Sequence, residues 1–241
     1  MDNYMGLRIV VEGDYALFTR PEFKSERVSY DVPTVSAIEG ILKAVYWKPA
    51  IRYVVDKIVV FNPIQFINIR RNEVSGKVSY DKVKKCMKGT SDPTIYTSEM
   101  RSQRDSRMLK NVKYGIEFHI EMTGIQSTHE NECRKKHSAI FQIRVKEGKW
   151  FQHPSLGCSE LGIRKMELVE NDFNYYEISP QLHGDVDLGY MLYDLKFKDK
   201  IPEDKDWHKA VFSDEAKPYY YRPHMINGII DVRKYRRDIL C

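Results

Sequence analysis

From Val112 to Met122, apolar and polar positions alternate in one unbroken phase. Val112, Tyr114, Ile116, Phe118, Ile120 and Met122 stand against Lys113, Gly115, Glu117, His119 and Glu121. Six matches to a period of two predict a strand with one face inward and His119 turned to solvent. Leu7, Ile9 and Val11 against Arg8, Val10 and Glu12 predict a looser strand near the N-terminus. Val35, Ile38, Ile41, Leu42 and Val45 fall at helical spacing behind Thr34, a good N-cap. Trp47-Lys48-Pro49 ends that helix, because Pro49 pushes its predecessor out of the α region. Tyr46 therefore lies at its last turn. A second strand is predicted from Tyr53 to Phe61, closed by Pro63, and a further strand-like stretch from Gly189 to Phe197.

Two regions resist a single reading. Residues 70–108 are polar and basic with Gly76, Gly89 and Pro93, which predicts an irregular insertion. In residues 138–145, Ala139, Phe141, Ile143 and Val145 fit a strand, yet a βαββαβ order needs a helix there. Strands outnumber helices, in the order strand, helix, strand, then more strands. This favours the α+β class with a ferredoxin-like unit.

With 241 residues, 42% apolar and 30% charged, the chain is long enough for a substantial core and too apolar for disorder. No apolar run reaches the ~18 residues of a membrane helix, so no membrane partner is expected. The N-terminus has no secretory pattern, and a cytoplasmic location is expected. Cys86, Cys133, Cys158 and Cys241 form no CxxC pair, so zinc-knuckle spacing is absent and no metal or cofactor is expected.

The net charge is +5, and it is clustered. Arg70 and Arg71 are adjacent; Lys82, Lys84, Lys85 and Lys88 follow; Arg101, Arg104 and Arg107 are three apart. Arg134, Lys135 and Lys136 form a run, as do Arg233, Lys234, Arg236 and Arg237. Such clusters suit a polyanion, although charge runs are often only solvated faces. Sixteen tyrosines add planes on which unpaired bases can stack.

Seven blocks carry a resemblance. Gly13-Asp-Tyr-Ala-Leu-Phe-Thr-Arg-Pro21, Val28-Ser-Tyr-Asp-Val-Pro33, ILKAVYWKP from Ile41 to Pro49, and PIQFINIRRNEV from Pro63 to Val74 come first. Lys136-His137, His153-Pro-Ser-Leu-Gly-Cys-Ser-Glu160 and Leu188-Gly-Tyr-Met-Leu-Tyr-Asp194 complete the order. Together they resemble the CRISPR-associated Cas-five family, Dvulg subtype, over nearly the whole chain. The resemblance implies a ferredoxin-like (RRM-type, repeat-associated RNA-binding) unit over 1–150, with the basic insertion near 70–108, and a small β-rich unit over 151–241. It implies a metal-independent endoribonuclease of the type I-C Cascade complex. Such an enzyme cuts precursor CRISPR RNA at the repeat hairpin, leaves a 2′,3′-cyclic phosphate, and stays on the 5′ handle of the mature crRNA. Its partners would be that RNA and the other Cascade subunits, with a DNA contact within the complex also compatible. Relatives in other subtypes only clamp the handle, which is the alternative. A DNA-binding or metal-dependent nuclease is a third reading.

Metal-free RNA cleavage needs a base for the 2′-hydroxyl, a stabiliser for the phosphorane and an acid for the 5′-oxygen. The resemblance places these roles on Tyr46, Lys136 and His137. His137 would be base or acid, with the neighbouring cations favouring its neutral form. Lys136 would stabilise the phosphorane, and Tyr46 would orient or donate a proton. Arg70, Arg71, Arg104, Arg107 and Lys135 are the candidate RNA-binding residues, since arginine grips phosphate bidentately. Of the other histidines, His153 sits in a loop able to approach a phosphate, while His129, His183 and His224 have no partner at a recognisable spacing. Glu117 and Glu121 share a strand face but make poor evidence for a two-metal site. Gly157 and Gly189 suit either close approach to RNA or ordinary turns.

Overall fold

The computed structural model describes residues 6–240 apart from 24–25, 77, 91, 93, 95, 125–132, 199–210, 212 and 214. Among the described residues it is an α+β fold built on one large, mainly antiparallel sheet with few helices.

The first strand, β1 (Leu7–Ala16), leads through the short β2 (Arg27–Val28) to helix α1 (Val35–Val45). The Thr34 side chain accepts from the Ala37 N–H, and Val35, Ile38, Ile41, Leu42 and Val45 are buried, as the spacing predicted. Strand β3 (Ile51–Val60) and strand β4 (Phe66–Val74) follow, then helix α2 (Tyr80–Met87), which buries none of its side chains. Next come β5 (Arg101–Met122), helix α3 (Arg134–Glu147), β6 (Lys165–Leu168), β7 (Asp185–Asp187), β8 (Met191–Phe197), β9 (Ala216–Tyr221), β10 (His224–Ile226) and β11 (Ile229–Asp231).

Strand β5 is the spine. One half pairs antiparallel with β1 and β3, and the other half with β4. Asn111, at φ 49°, separates the half paired with β3 from the half paired with β4; asparagine tolerates this left-handed conformation better than most residues. The sheet runs β6-β1-β5-β3-β11-β10-β7, so strands from both sides of residue 150 share it. Strands β8 and β9 form a separate pair.

Most of residues 70–108 is regular, contrary to their polar composition, although the described part of 88–100 is irregular. Strand β4 pairs residue by residue with Arg101–Leu109 of β5, and α2 lies between the two strands. This arm buries only a few side chains, Ser106 and Met108 among them, so its hydrophobic period is too weak to read.

Residues 138–145 are helical, within α3. His137, Phe141 and Val145 are buried at a spacing of four, while Ala139 and Ile143 are exposed. The alternation that suggested a strand arises because the exposed Ala139 and Ile143 interleave with the buried Phe141 and Val145. Phe141 meets Tyr53 and Phe118 edge-on, with ring centroids 5.8 and 5.2 Å away, and this fixes α3 on the sheet. Gly148, at φ 63°, ends the helix.

His119 is buried at 3% exposure, which corrects the solvent-facing expectation. The second face of β5 is covered: Phe173 packs with Val10, Val59 and Phe61, and the short turn Val232–Tyr235 lies on β3. That cover comes from residues more than 50 positions away, so alternation along β5 cannot reveal it. His119 Nδ1 lies 2.7 Å from Asp56 Oδ2, and Arg236 donates to Asp56 Oδ1 at 2.7 Å.

Candidate functional site

The last turn of α1 and the first turn of α3 meet over the sheet. Tyr46 is the C-cap residue of α1, in extended conformation. Its backbone carbonyl accepts from the Tyr53 hydroxyl at 2.6 Å, so β3 holds it in place. His137 lies one turn into α3. The Tyr46 hydroxyl and His137 Nδ1 are 2.9 Å apart, across 91 residues of sequence. The pair is buried, with Tyr46 at 5% and His137 at 1% exposure.

This contact links proton positions. When the phenol donates, Nδ1 is the acceptor and Nε2 of the neutral ring holds its proton, as a hydrogen-bond donor and not an acid near pH 7. When Nδ1–H donates, Nε2 carries the lone pair and is a base. Nε2 is an acid only in the imidazolium, where Nδ1–H also donates, so the direction of this one hydrogen bond separates the reactive forms of the ring from the idle one.

Two residues missed from sequence complete the surroundings. Arg144 donates to the Val45 carbonyl at 3.0 Å, and its guanidinium carbon lies 5.2 Å from the centre of the Tyr46 ring. Tyr53 supports the Tyr46 backbone, and burial pushes its phenol far above the ordinary range. The only available sequence signal for Arg144 was its place seven residues after His137, two helical turns along.

Lys136 and Lys135 are exposed in the first turn of α3 beside Arg134. That turn has no acidic residue, and the N-cap Cys133 makes no side-chain capping bond. Three cations at the positive end of a helix dipole repel it, and an anion there would relieve the repulsion. The structure thus joins Tyr46 to His137 and leaves Lys136 at the adjacent surface.

The four candidate arginines divide by the two-residue period of the ribbon. Arg70 and Arg107 stand on one exposed face with Asn68, where Arg70 pairs with Asp105 at 3.1 Å. The Arg107 guanidinium lies 4.3 Å from the centre of the Phe66 ring. Arg71 and Arg104 are direct cross-strand partners in register. Glu73 faces Arg104 at 3.6 Å, and Glu160 pairs with Arg71 and holds its guanidinium above its usual range. Arg27, Arg70 and Arg107 line a recess of about 610 Å³ with Phe23.

Other candidates settle into structure. Arg233 pairs with Asp231 at 2.9 Å and Arg236 with Asp56, so half of the C-terminal cluster faces inward partners. Glu117 is ringed by Arg8, Lys57 and Arg233. His153 packs on Gly162, His183 is exposed, and His224 pairs with Asp185 at 2.8 Å. His129 and Cys241 lie outside the described residues. Gly157, at φ 97°, is pressed so closely on the Leu17 carbonyl that an added Cβ would lie 2.0 Å from its oxygen, which accounts for this glycine by packing. Gly189, at φ 67°, is a turn with open space around it. No group of three or more His, Cys, Asp or Glu among the described residues is arranged to hold a metal ion. No helix there is long and apolar enough to cross a membrane.

Residues 6–233 match the family model described as CRISPR-associated protein (Cas_Cas5). The chain is 40% identical over 228 residues to the CRISPR pre-crRNA endoribonuclease Cas5d of Mannheimia succiniciproducens, covering 94% of each sequence. It is 35% identical over 198 residues to the protein of the same name from Thermus thermophilus, covering 79% of this chain and 73% of that one. Among solved structures, a CRISPR-associated protein aligns with a TM-score of 0.62 at 22% identity, over 94% of this chain and 90% of that one. A functionally uncharacterized protein from Streptococcus mutans aligns at 0.60 and 23%, over 94% and 91%. At these identities the two structures bear on the fold alone.

Proposed function

The chain belongs to the Cas5 family of CRISPR-associated proteins, and from that premise we propose that it is a pre-crRNA endoribonuclease. In this reading it cuts the repeat hairpin without a metal ion, leaves a 2′,3′-cyclic phosphate, and stays on the crRNA 5′ handle as a cytoplasmic subunit of type I-C Cascade. The 40% identity to a pre-crRNA endoribonuclease supports the activity. The observation that carries the site is the 2.9 Å contact between Tyr46 and His137. The 2′-oxygen attacks phosphorus as its proton leaves, and the 5′-oxygen departs as it gains one. His137 takes one of these proton transfers, and Tyr46 sets its tautomer. Lys136 and the cationic first turn of α3 hold the phosphate, with Arg144 adding positive charge beside the phenol. Incubating the purified protein with its repeat RNA in EDTA, with end groups mapped, tests this. Products lacking a cyclic phosphate, or no cleavage at all, would refute it.

The burial of the pair favours one second reading, a subunit that clamps the handle and cuts nothing. Hairpin bound tightly but left intact by the purified protein selects that reading.

The same premise assigns a ferredoxin-like, RRM-type unit to the N-terminal part. The order β6-β1-β5-β3, with α1 after β1 and α3 after β5, supports it. Because β6 at Lys165–Leu168 completes that order, we place the boundary with the smaller β-rich unit after residue 168 rather than at 150.

Two smaller effects follow. Tyr46→Phe removes the hydroxyl but keeps the ring on Arg144. A phenol with a pKa of about 10 is a poor base, so an orienting role and roughly a tenfold loss of cleavage rate are expected. A loss of about 10²–10⁴ would instead assign Tyr46 a proton transfer. Hairpin binding should also weaken with salt. The slope of log K against log[salt] should fall by about 1 in magnitude for Arg107→Ala if that guanidinium meets a phosphate, and stay unchanged if it does not. Fluorescence anisotropy across a salt series measures it.

A further inference from the structure

Along α1, the helix that Tyr46 caps, the turn after Trp150 and strand β8 border a recess of about 520 Å³. Glu39, Gly40 and Lys43 of α1 line it, with Gln152 and Asp194 opposite. Its position relative to the pair is set by the backbone. The Gln152 N–H donates to the Ala44 carbonyl at 3.0 Å, and Lys43 precedes Tyr46 by three residues. Glu39 lies seven residues before Tyr46, about 10 Å along the helix axis, a span of roughly two to three nucleotide steps.

Gly40 is the first clue. It stands inside a helix, where glycine is less stable than alanine. Yet a Cβ built there meets nothing within 4 Å. The packing of the chain does not call for glycine at this position, whereas a flat group laid against the helix backbone would.

Glu39 is the second. Its side chain is 18% exposed and its carboxylate accepts from Lys43 at 3.0 Å. Burial raises its pKa and Lys43 only partly offsets this, with Asp194 nearby. Lys43 balances one of the two carboxylates, so the recess is not simply anionic. A carboxylate accepts from an exocyclic amine, which uracil alone among the four bases lacks.

We infer that this recess takes one unstacked nucleobase within about three nucleotides of the cleaved linkage, and that Glu39 selects a base bearing an exocyclic amine (guanine, adenine or cytosine) over uracil. This rests on the RNA-processing reading above and makes Glu39 a specificity-determining residue rather than a catalytic one.

The test uses the full chain and a set of repeat hairpins carrying each of the four bases, in turn, at each position within about three nucleotides of the cut on either side. Cleavage in EDTA is measured, and binding is measured in parallel with hairpins that have a 2′-deoxy residue at the cut. One position should disfavour uracil by roughly ten- to a hundredfold in both. Glu39→Gln, whose amide can donate to uracil, should reduce that preference below about threefold or reverse it. Gly40→Leu projects into the recess without a clash at Cβ. It should keep or raise the melting temperature while weakening hairpin binding about tenfold or more. Equal treatment of all four bases at every position overturns the inference, as does wild-type selectivity in Glu39→Gln or wild-type binding in Gly40→Leu. Base-selective binding without cleavage sinks the nuclease reading but leaves the recess standing. Cleavage without base selectivity does the reverse.

Discussion

Replacing His137 by alanine is expected to slow repeat-hairpin cleavage in EDTA by about 10²–10⁴-fold, the range a positioned acid or base supplies. The ring is the titratable group in contact with the Tyr46 hydroxyl, and it lies at the cationic first turn of α3. Its removal takes away both the proton carrier and the partner that orders the phenol. Because His137 is 1% exposed, the same change also opens a hole between α1 and α3 and strips Tyr46 of a buried hydrogen bond. A buried group left unsatisfied costs about 1–3 kcal/mol, so the melting temperature must be read alongside the rate. Added imidazole separates the two effects. It fits the space vacated and should restore a measurable part of the rate, which a purely structural role would not produce. Cleavage by His137→Ala at the wild-type rate, with the fold intact, would remove His137 from the mechanism.

The second large effect is on stability. Asp56→Ala is expected to destabilise the fold by about 3–5 kcal/mol, the penalty for removing one partner of a buried charged pair. Asp56 is 2% exposed and sits where the β3–β5 register shifts. One carboxylate oxygen meets His119 Nδ1 at 2.7 Å, and the other accepts from Arg236 at 2.7 Å. Arg236 also donates to the Val55 carbonyl at 2.9 Å, so this carboxylate ties the C-terminal turn to the central sheet. In a chain of 241 residues such a loss corresponds to a fall in Tm of about 6–20 °C. Asp56→Asn keeps the shape and one acceptor, and should lose less. Cutting the exposed Arg70–Asp105 pair should cost under about 1 kcal/mol. Thermal melts of the three variants check the ranking. If Asp56→Ala melts within about 2 °C of wild type, the buried network does not hold the turn in place.

Much of the fold was legible because some elements present one face to one core. Helix α1 was read correctly from Thr34 and five buried apolar positions, and β1, β3 and the Val112–Met122 half of β5 from their period of two. The ordered blocks from Gly13 to Asp194 pointed to the family. Tyr46 and His137 were named through that resemblance.

The parts that were not legible share one cause. Burial depends on what lies across from a residue, and that partner is usually distant in the chain. His119 looked exposed because its cover comes from Asp56 and Arg236. Strand β4 looked irregular because its partner, the first half of β5, begins 27 residues after it ends. Helix α3 hid its period because it buries only three side chains. The arginines were grouped by spacing, whereas the pleat of the ribbon sends Arg70 and Arg107 to one face and Arg71 and Arg104 to the other. By itself, then, the sequence determined the family and the locally patterned elements, and offered Tyr46, Lys136 and His137 as the candidates for proton transfer. Only the tertiary structure decided that Tyr46 and His137 touch, that Lys136 stays at the surface and that Arg144 stands by the phenol. Those contacts are made by α1 and α3 crossing on one sheet, a long-range event that no local period encodes.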